Sequence, residues 1–256
     1  MSAAFDAPAK GTFVCAPKLR PMFYGTAKYY DAVYRALGKD YQAEAQKVAA
    51  IILREKRSAG SDLLDVACGT GRHLQYLQKY FRCEGLDIAD DLLRIAAERC
   101  ASLTFHRADM MYFNLERQYD AVVCLFSSIA YVTELTRLKQ TIATFKRHLK
   151  PGGVMLVEPW IYPEHWQEGL LSAVFVDEPD LKLARMMIAR RNANVSILDF
   201  HYMVGEPDGI RTLTEPHHMG LFTPLEYRDA FESAGLHVGY DEQGLTGRGL
   251  FIATEI

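Results

Sequence analysis

Short apolar runs alternate with amphipathic segments through the middle of the chain. The first apolar run, at 63–66, leads into a glycine-rich turn, and a helix-forming stretch at 72–81 follows that turn. Further apolar runs lie at 83–88, 103–106 and 119–126, with an amphipathic segment at 89–99. Near-continuous apolar runs are typical of strands that are buried on both faces of a parallel sheet. This order predicts an α/β fold with a Rossmann-like, doubly wound and mostly parallel sheet.

The alternation continues beyond this region. Residues 135–149 predict a helix, and Lys150-Pro151-Gly152-Gly153 has the composition of a turn that ends it. A buried strand is expected at 154–160. Near the carboxyl terminus, a predicted helix at 225–234 precedes two strands, at 238–240 and 250–253. These two strands are expected to complete the main sheet as an antiparallel pair.

After residue 160 the pattern changes to strands separated by turn-forming residues. Strand-like segments lie at 174–176, 183–189, 195–204 and 211–221, with Glu-Pro-Asp, Arg-Asn-Ala-Asn and Glu-Pro-Asp-Gly between them. This predicts an inserted antiparallel β meander of about four strands at about 172–222. Leu198, Phe200 and Tyr202 alternate with polar residues, so one face of the meander should pack on the domain. The other face should be wet or meet a partner.

The amino-terminal part of the chain contains two segments of different composition. Residues 1–21 carry small residues and prolines with little periodicity, so we predict a flexible tail. Aromatic residues crowd 22–41, where a short helix is predicted, and an amphipathic helix is expected at 41–57. Residues 22–256 are therefore expected to form one domain that carries the meander as an insertion.

Composition narrows the class of protein. The chain has 256 residues, a net charge of −3, and ordinary hydrophobic and charged fractions of 49% and 24%. This charge gives no electrostatic footprint for nucleic acid, and no apolar run approaches the roughly 18 residues of a membrane span. The five cysteines contain no Cys-x-x-Cys pair, so buried free thiols are expected. The amino-terminal residues lack a charged-then-apolar signal pattern, so a cytoplasmic location is expected. Adjacent His217 and His218 would point to opposite strand faces, so we predict no metal site.

The glycine-rich turn carries the first candidate chemistry. It reads Asp65-Val66-Ala67-Cys68-Gly69-Thr70-Gly71. Gly69 and Gly71 lack a Cβ, so they tolerate positive φ angles and let a ligand approach the backbone. An acidic residue, Asp87, stands at the end of the second strand, where a carboxylate can accept both hydroxyls of a ribose. A further acid, Asp109, follows the third strand.

The turn motif Asp-x-Ala-x-Gly-x-Gly differs from the Gly-x-Gly-x-x-Gly of dinucleotide-binding proteins. Together with the acids after the second and third strands, it resembles the class I S-adenosylmethionine-dependent methyltransferases. The chain from about residue 22 onward resembles in particular the N,N-dimethyltransferases of nucleotide-linked amino sugars. The shared segments are Gly38–Tyr41, 63–71, 85–87, 126–129, 157–160, 220–222 and 247–251.

The resemblance implies S-adenosylmethionine as cofactor. It places Asp65, Ala67, Gly69 and Gly71 at the methionine end, although Asp65 could instead cap the turn. Asp87 would hold the ribose hydroxyls. The remaining cofactor contacts would be Asp109 and the Met110 backbone at the adenine, Tyr30 and Tyr41 closing over the cofactor, and Leu125 beneath the transferred methyl group.

The resemblance also implies an acceptor site. Tyr131 would orient the amine, since a Tyr with a pKa of about 10 is a poor base near neutral pH. Tyr24 would touch the sugar, Trp160 would wall its pocket, and Arg248, between two glycines, would contact the diphosphate or sugar. Packing roles for Tyr131 and Trp160, and a surface ion pair for Arg248, remain open alternatives.

The sequence therefore predicts methyl transfer from S-adenosylmethionine to the amino group of a nucleotide-activated aminodeoxysugar. N,N-dimethylation is expected, and the meander is expected to form a homodimer contact, as it does in the resembling family. One alternative is an N-methyltransferase for another small-molecule or peptide amine. A second alternative is a cofactor-binding partner protein without catalytic activity, against which the intact acids and Tyr131 argue.

Overall fold

The computed structural model describes residues 25–255. Its helices are α1 (Ala27–Ala36), α2 (Tyr41–Glu55), α3 (Arg72–Leu77), α4 (Asp90–Arg99), α5 (Leu135–Arg147) and α6 (Pro224–Ser233). The strands of the main sheet are β1 (Asp62–Val66), β2 (Arg82–Asp87), β3 (Thr104–Arg107), β4 (Tyr119–Cys124), β5 (Leu149–Val157), β10 (Leu236–Asp241) and β11 (Leu250–Glu255). A second sheet contains β6 (Leu171–Glu178), β7 (Leu181–Asn192), β8 (Val195–Glu206) and β9 (Gly209–Gly220).

The main sheet has seven strands in the order β10-β11-β5-β4-β1-β2-β3. The five strands β3, β2, β1, β4 and β5 pair in parallel, whereas β11 and β10 are antiparallel. The prediction of a doubly wound, mostly parallel sheet closed by an antiparallel pair is confirmed. Because the chain runs outward from β1 to β3 and then returns to β4, the strand order reverses between β1 and β4. Ligands bind at the carboxyl ends of strands beside such a reversal.

Side chains of each central strand alternate between two buried layers. In β4, Val122 and Cys124 belong to the layer covered by α5 and α6. Ala121 and Val123 belong to the opposite layer, which is covered by α2 and α3. This burial on both faces explains the near-continuous apolar sequence of the strand.

The second sheet is the predicted meander, in the order β6-β7-β8-β9. Its strands are longer than predicted, with twelve residues in each of the last three. Leu198, Phe200 and Tyr202 are buried in a cluster with Tyr29 and Val33 of α1. His201 and Met203 on the opposite face are exposed, so the predicted division into two unlike faces is confirmed.

Two predicted boundaries were wrong. Residues 150–153 form part of β5 rather than a turn, because Leu149 already pairs with Tyr119 before the register shifts. Gly152 takes a φ of +73° in this irregularity, and its carbonyl accepts hydrogen bonds from the backbone of Arg57 and Ser58 at 2.6 and 2.9 Å. The helix predicted at 72–81 ends at Leu77. The predicted tail at 1–21 lies outside the described residues.

Candidate cofactor and acceptor site

The glycine-rich turn between β1 and α3 adopts the conformation that its sequence predicted. Ala67, Gly69 and Gly71 have φ angles of +59°, +56° and +73°. A Cβ on Gly69 would meet no atom within 4 Å, so this residue borders open space. A Cβ on Gly71 would lie 3.1 Å from the Cβ of Ala96 in α4. Gly69 thus leaves room for a ligand, whereas Gly71 permits close packing of the turn on α4.

Asp87 at the end of β2 ties this turn in place. One carboxylate oxygen accepts the backbone N–H of Gly69 at 2.8 Å, and the other accepts the N–H of Ala89 at 2.9 Å. Burial raises the pKa of Asp87, and these backbone hydrogen bonds oppose the rise. Each oxygen retains a further lone pair. The side chain lines a cavity of about 450 Å³, so it can also accept hydrogen bonds from a ligand's hydroxyls.

Asp65 lies at the end of β1 and is buried to 2% exposure. Within residues 25–255, its Oδ2 has no hydrogen-bond partner, and neither has the buried hydroxyl of Tyr41. Burial, and secondarily the charge of Asp87, raise the pKa of Asp65 well above its ordinary value. Buried polar atoms in native proteins almost always have partners. An unpartnered acceptor beside an open turn therefore fits a ligand that brings its own donor.

The predicted cofactor residues line two adjoining cavities. Asp65, Tyr41 and Leu125 line a small one of about 30 Å³. Asp87, Asp109 and Met110 line the large one. Tyr30, Ala67 and Gly69 border both cavities. Gly71 borders neither, so its contact with the cofactor stays a prediction without support from the lining.

These features fit S-adenosylmethionine. The unpartnered carboxylate of Asp65 suits an ammonium group, and Asp87 suits the hydroxyls of a ribose. Asp109 is held by the Met111 backbone N–H, which donates to its Oδ1 at 2.9 Å. Its remaining lone pairs are available to an exocyclic amine. The large cavity lies within the usual size range of sites for cofactors and drug-sized ligands.

The predicted acceptor residues border the same large cavity. Tyr131 ends a 3₁₀ turn (Ser128–Tyr131), and burial raises its pKa well above the ordinary value. Trp160 donates its indole N–H to the Oγ of Ser196 at 3.0 Å. The Arg248 guanidinium lies 5.3 Å from the ring centre of Phe126 and 5.6 Å from that of Trp160. Among the described residues, Arg248 forms no ion pair with a carboxylate.

The turn after β4 is strained, and the sequence did not reveal this. Phe126 and Ser127 have φ angles of +53° and +61°, which are uncommon for residues other than glycine. The buried carboxylate of Glu158 accepts the Phe126 N–H at 2.6 Å and the Thr246 hydroxyl at 3.1 Å. Ser127 donates its hydroxyl to the Pro159 carbonyl at 2.6 Å. These contacts hold the Phe126 ring at the junction of the two cavities.

The meander supplies further lining residues of the large cavity, of which Arg185 had no signal in the sequence. Arg185 and Phe200 line the large cavity together with His217. Strand alternation placed Phe200 on an inner face, but it gave no indication of what that face would meet. Tyr24, the predicted sugar-contacting residue, lies outside the described residues.

Two further observations concern other kinds of site. Within residues 25–255, no group of three or more His, Cys, Asp or Glu side chains is arranged to hold a metal ion. In the same part of the chain, no helix is long and apolar enough to cross a membrane. His217 is buried and His218 is exposed, as the strand alternation predicted.

Comparisons with known proteins agree with this geometry. A family model described as a methyltransferase domain matches residues 63–153. The dTDP-3-amino-3,4,6-trideoxy-alpha-D-glucopyranose N,N-dimethyltransferase of Streptomyces venezuelae is 41% identical over 88% of this chain and 96% of its own. The crystal structure of Streptomyces venezuelae DesVI matches with a TM-score of 0.85 and 40% identity, over 90% and 98% of the two chains.

A third match has a bound cofactor. The SAM-bound amino pentose methyltransferase CalS10 from Micromonospora echinaspora matches with a TM-score of 0.81 and 37% identity, over 89% and 96% of the chains. Fold, turn and strand-end acids define a class I methyltransferase that uses S-adenosylmethionine. Within that class, the chain belongs to the family of the amino-sugar N,N-dimethyltransferases.

The buried carboxyl group of Asp65, whose Oδ2 has no hydrogen-bond partner among the described residues, should lower the stability of the cofactor-free protein and at the same time favour binding of S-adenosylmethionine. We expect Asp65→Asn to stabilise the cofactor-free protein at pH 7 by on the order of 1–3 kcal/mol, because it removes a buried carboxyl group whose ionisation folding disfavours. The same change should weaken S-adenosylmethionine binding by about tenfold or more. Urea denaturation and calorimetric titration measure the two effects.

The pH dependence of this stabilisation has a defined sign. A raised native pKa means that the folded state keeps its proton after the unfolded state has lost it. The contribution of Asp65 to stability therefore falls as the pH rises above its ordinary value of 3.8. The advantage of Asp65→Asn should thus grow from pH 4 to pH 8. The exposed control Asp90→Asn should shift stability by no more than about 0.5 kcal/mol, and an equal effect of both variants would contradict the assignment.

Proposed function

We propose that the protein transfers methyl groups from S-adenosylmethionine to the amino group of a dTDP-linked aminodeoxysugar, giving the N,N-dimethyl product. One observation carries this proposal. A single cavity joins the strand-end acids Asp87 and Asp109 to Tyr131 and to the guanidinium of Arg248. Two relatives of this protein, from Streptomyces venezuelae and Streptomyces fradiae, are named as N,N-dimethyltransferases of dTDP-linked amino sugars.

Methyl transfer requires mainly that the protein align the acceptor amine with the methyl group of the cofactor. S-adenosylmethionine supplies, when bound, an activated methyl group that a neutral amine can attack in line, with the thioether sulfur as leaving group. Leu125 lines the small cavity, and the strained Phe126 borders both cavities. Tyr131 keeps its proton near neutral pH because its pKa is raised. Its oxygen can accept a hydrogen bond from the acceptor amine and orient it, and such orientation contributes several kcal/mol to a barrier.

Arg248 supports a nucleotide-linked acceptor. Its guanidinium packs between two aromatic rings, and its Nη1 lies 3.5 Å from the Oγ of Ser127. This guanidinium is planar, lies near two aromatic rings and forms no ion pair with a carboxylate of the described residues. It can therefore donate paired hydrogen bonds to a diphosphate. A second guanidinium, that of Arg185, lines the same cavity. A small free amine would instead favour an acidic pocket, and the carboxylates here belong to the proposed cofactor end.

The reaction is tested by mass spectrometry of nucleotide sugars after incubation with S-adenosylmethionine. We expect dTDP-linked 3- or 4-aminodeoxysugars to gain one and then two methyl groups. Arg248→Ala should raise the KM for the nucleotide sugar by about tenfold or more, with little change in cofactor affinity. The matched control Arg54→Ala removes an exposed arginine on α2 and should leave KM unchanged. Turnover only of free amines, or an unchanged KM in Arg248→Ala, would contradict the proposal.

We also propose that two copies associate through the outer face of the meander. Exposed apolar side chains gather on this sheet, namely Phe175, Met186, Met203 and Ile210. Such a patch on a protein surface commonly marks an interaction site.

A cytoplasmic location is proposed as well, since the described cysteines are free and buried, as is usual in reducing compartments.

The association has a direct physical test. Sedimentation equilibrium should give about twice the chain mass of 28.9 kDa. Phe175→Asp should reduce this to the mass of one chain, because it places a charge in the apolar patch. Leu225→Asp, at an exposed apolar residue on α6, is the control and should remain dimeric. A wild-type protein that stays monomeric at working concentration would refute the proposal.

A further inference from the structure

A line of polar side chains leads from the large cavity into the protein. The Tyr131 hydroxyl lies 2.6 Å from the Nδ1 of His217. The Nε2 of His217 lies 3.0 Å from the Oε1 of Glu215. The other oxygen of Glu215 accepts the hydroxyl of Thr26 at 2.5 Å. Tyr131 therefore stands at the cavity, and Glu215 stands at the inner end of the line.

Strand geometry produces this arrangement. Glu215 and His217 are two residues apart on β9, so their side chains project from the same face. Both are 7% exposed, whereas Pro216 and His218 point to the exposed face. The 3₁₀ turn that carries Tyr131 contacts β9. Two elements far apart in sequence thus bring a phenol, an imidazole and a carboxylate into hydrogen-bond distance.

The chemistry of these groups indicates which atom carries each proton, and the contact between Nε2 of His217 and Oε1 of Glu215 is a close charge pairing. Burial keeps Tyr131 protonated, because its pKa is raised. Its O–H can therefore donate to Nδ1 of His217, which leaves the imidazole proton on Nε2, facing the Glu215 carboxylate. The phenol oxygen keeps its lone pairs for a donor in the cavity. This is the logic of a base oriented by a carboxylate and reached through a hydroxyl.

We propose that Tyr131, His217 and Glu215 form a proton relay that takes a proton from the acceptor's ammonium group before each methyl transfer. The ammonium gives one proton to the Tyr131 oxygen while the phenol gives its own proton to Nδ1 of His217. The products are a neutral amine, an unchanged phenol and an imidazolium beside Glu215. The positive charge moves from substrate to imidazole, and the total charge of the site is conserved. Before the next transfer the imidazolium returns this proton through the Tyr131 hydroxyl to water in the cavity, because both residues line it. This inference rests on the proposed function.

Transfer of two methyl groups to one amine requires a route by which protons leave that amine. An alkylated amine leaves the first transfer carrying a proton, so it cannot attack again until that proton is lost. Glu215 offsets the positive charge that His217 gains. Other groups facing this small buried space are Arg185 of β7, Tyr202 of β8, and Tyr30 and Tyr34 of α1. Of these, the Arg185 cation disfavours an imidazolium at His217, whereas the Glu215 carboxylate favours it.

The relay is tested by the pH profile of methyl transfer. We expect His217→Gln to lower kcat at pH 7 by about tenfold to a hundredfold, the usual contribution of general acid–base catalysis. The deficit should shrink towards pH 9.5, because the substrate amine then loses its proton to water. Tyr131→Phe interrupts the line while keeping the ring, and it should show the same pH-dependent deficit. His218→Gln, one residue away on the opposite face, is the matched control and should follow the wild-type profile.

Cofactor titration verifies that each variant is folded, since none of the three residues lies at the cofactor acids. A His217→Gln profile that matches the wild type, or one lowered by the same factor at every pH, would overturn the relay. Failure of the relay leaves wild-type methyl transfer intact. Failure of the proposed function instead appears as an absence of wild-type turnover on the nucleotide sugars. The two outcomes are therefore distinguishable.

Discussion

The site depends on the carboxylate of Asp87 and its two backbone hydrogen bonds. One oxygen holds Gly69 in the turn after β1, and the other holds Ala89 at the start of α4. Because β1 and β2 are neighbours in the sheet, this side chain couples the ends of both strands to the elements that follow them. Asp87 also lines the large cavity. A single residue thereby holds the turn and borders the space beside it.

This arrangement has a cost for the protein without its cofactor. Asp65 and Asp87 are both buried, and burial raises both pKa values, with the charge of Asp87 adding to the rise at Asp65. The strained residues Phe126 and Ser127 add backbone strain at the same edge of the sheet. Function therefore keeps unfavourable features where the chemistry requires them. The two apolar layers of the main sheet supply the stability that offsets them.

Local periodicity was enough to predict most of the fold. The parallel strands, the meander and the antiparallel closing pair are confirmed because each has an apolar pattern of its own. The start of β5 was missed because Leu149 becomes a strand residue only through pairing with Tyr119. Arg185 was not singled out, since the contact between the meander and the main sheet joins residues far apart in sequence. That Glu215 and His217 share a face could be read from their spacing, but their proximity to Tyr131 could not.

The central claim is that the Asp87-anchored turn is an S-adenosylmethionine site. Calorimetric titration of the wild type and of Asp87→Ala with S-adenosylmethionine tests it most directly, with Asp91→Ala on the adjoining helix as control. The account predicts one site per chain in the wild type and in Asp91→Ala. It predicts a loss of about tenfold to a hundredfold in affinity in Asp87→Ala, the range for hydrogen bonds to a charged group. Equal affinity in all three proteins, or no binding by the wild type, would contradict the account.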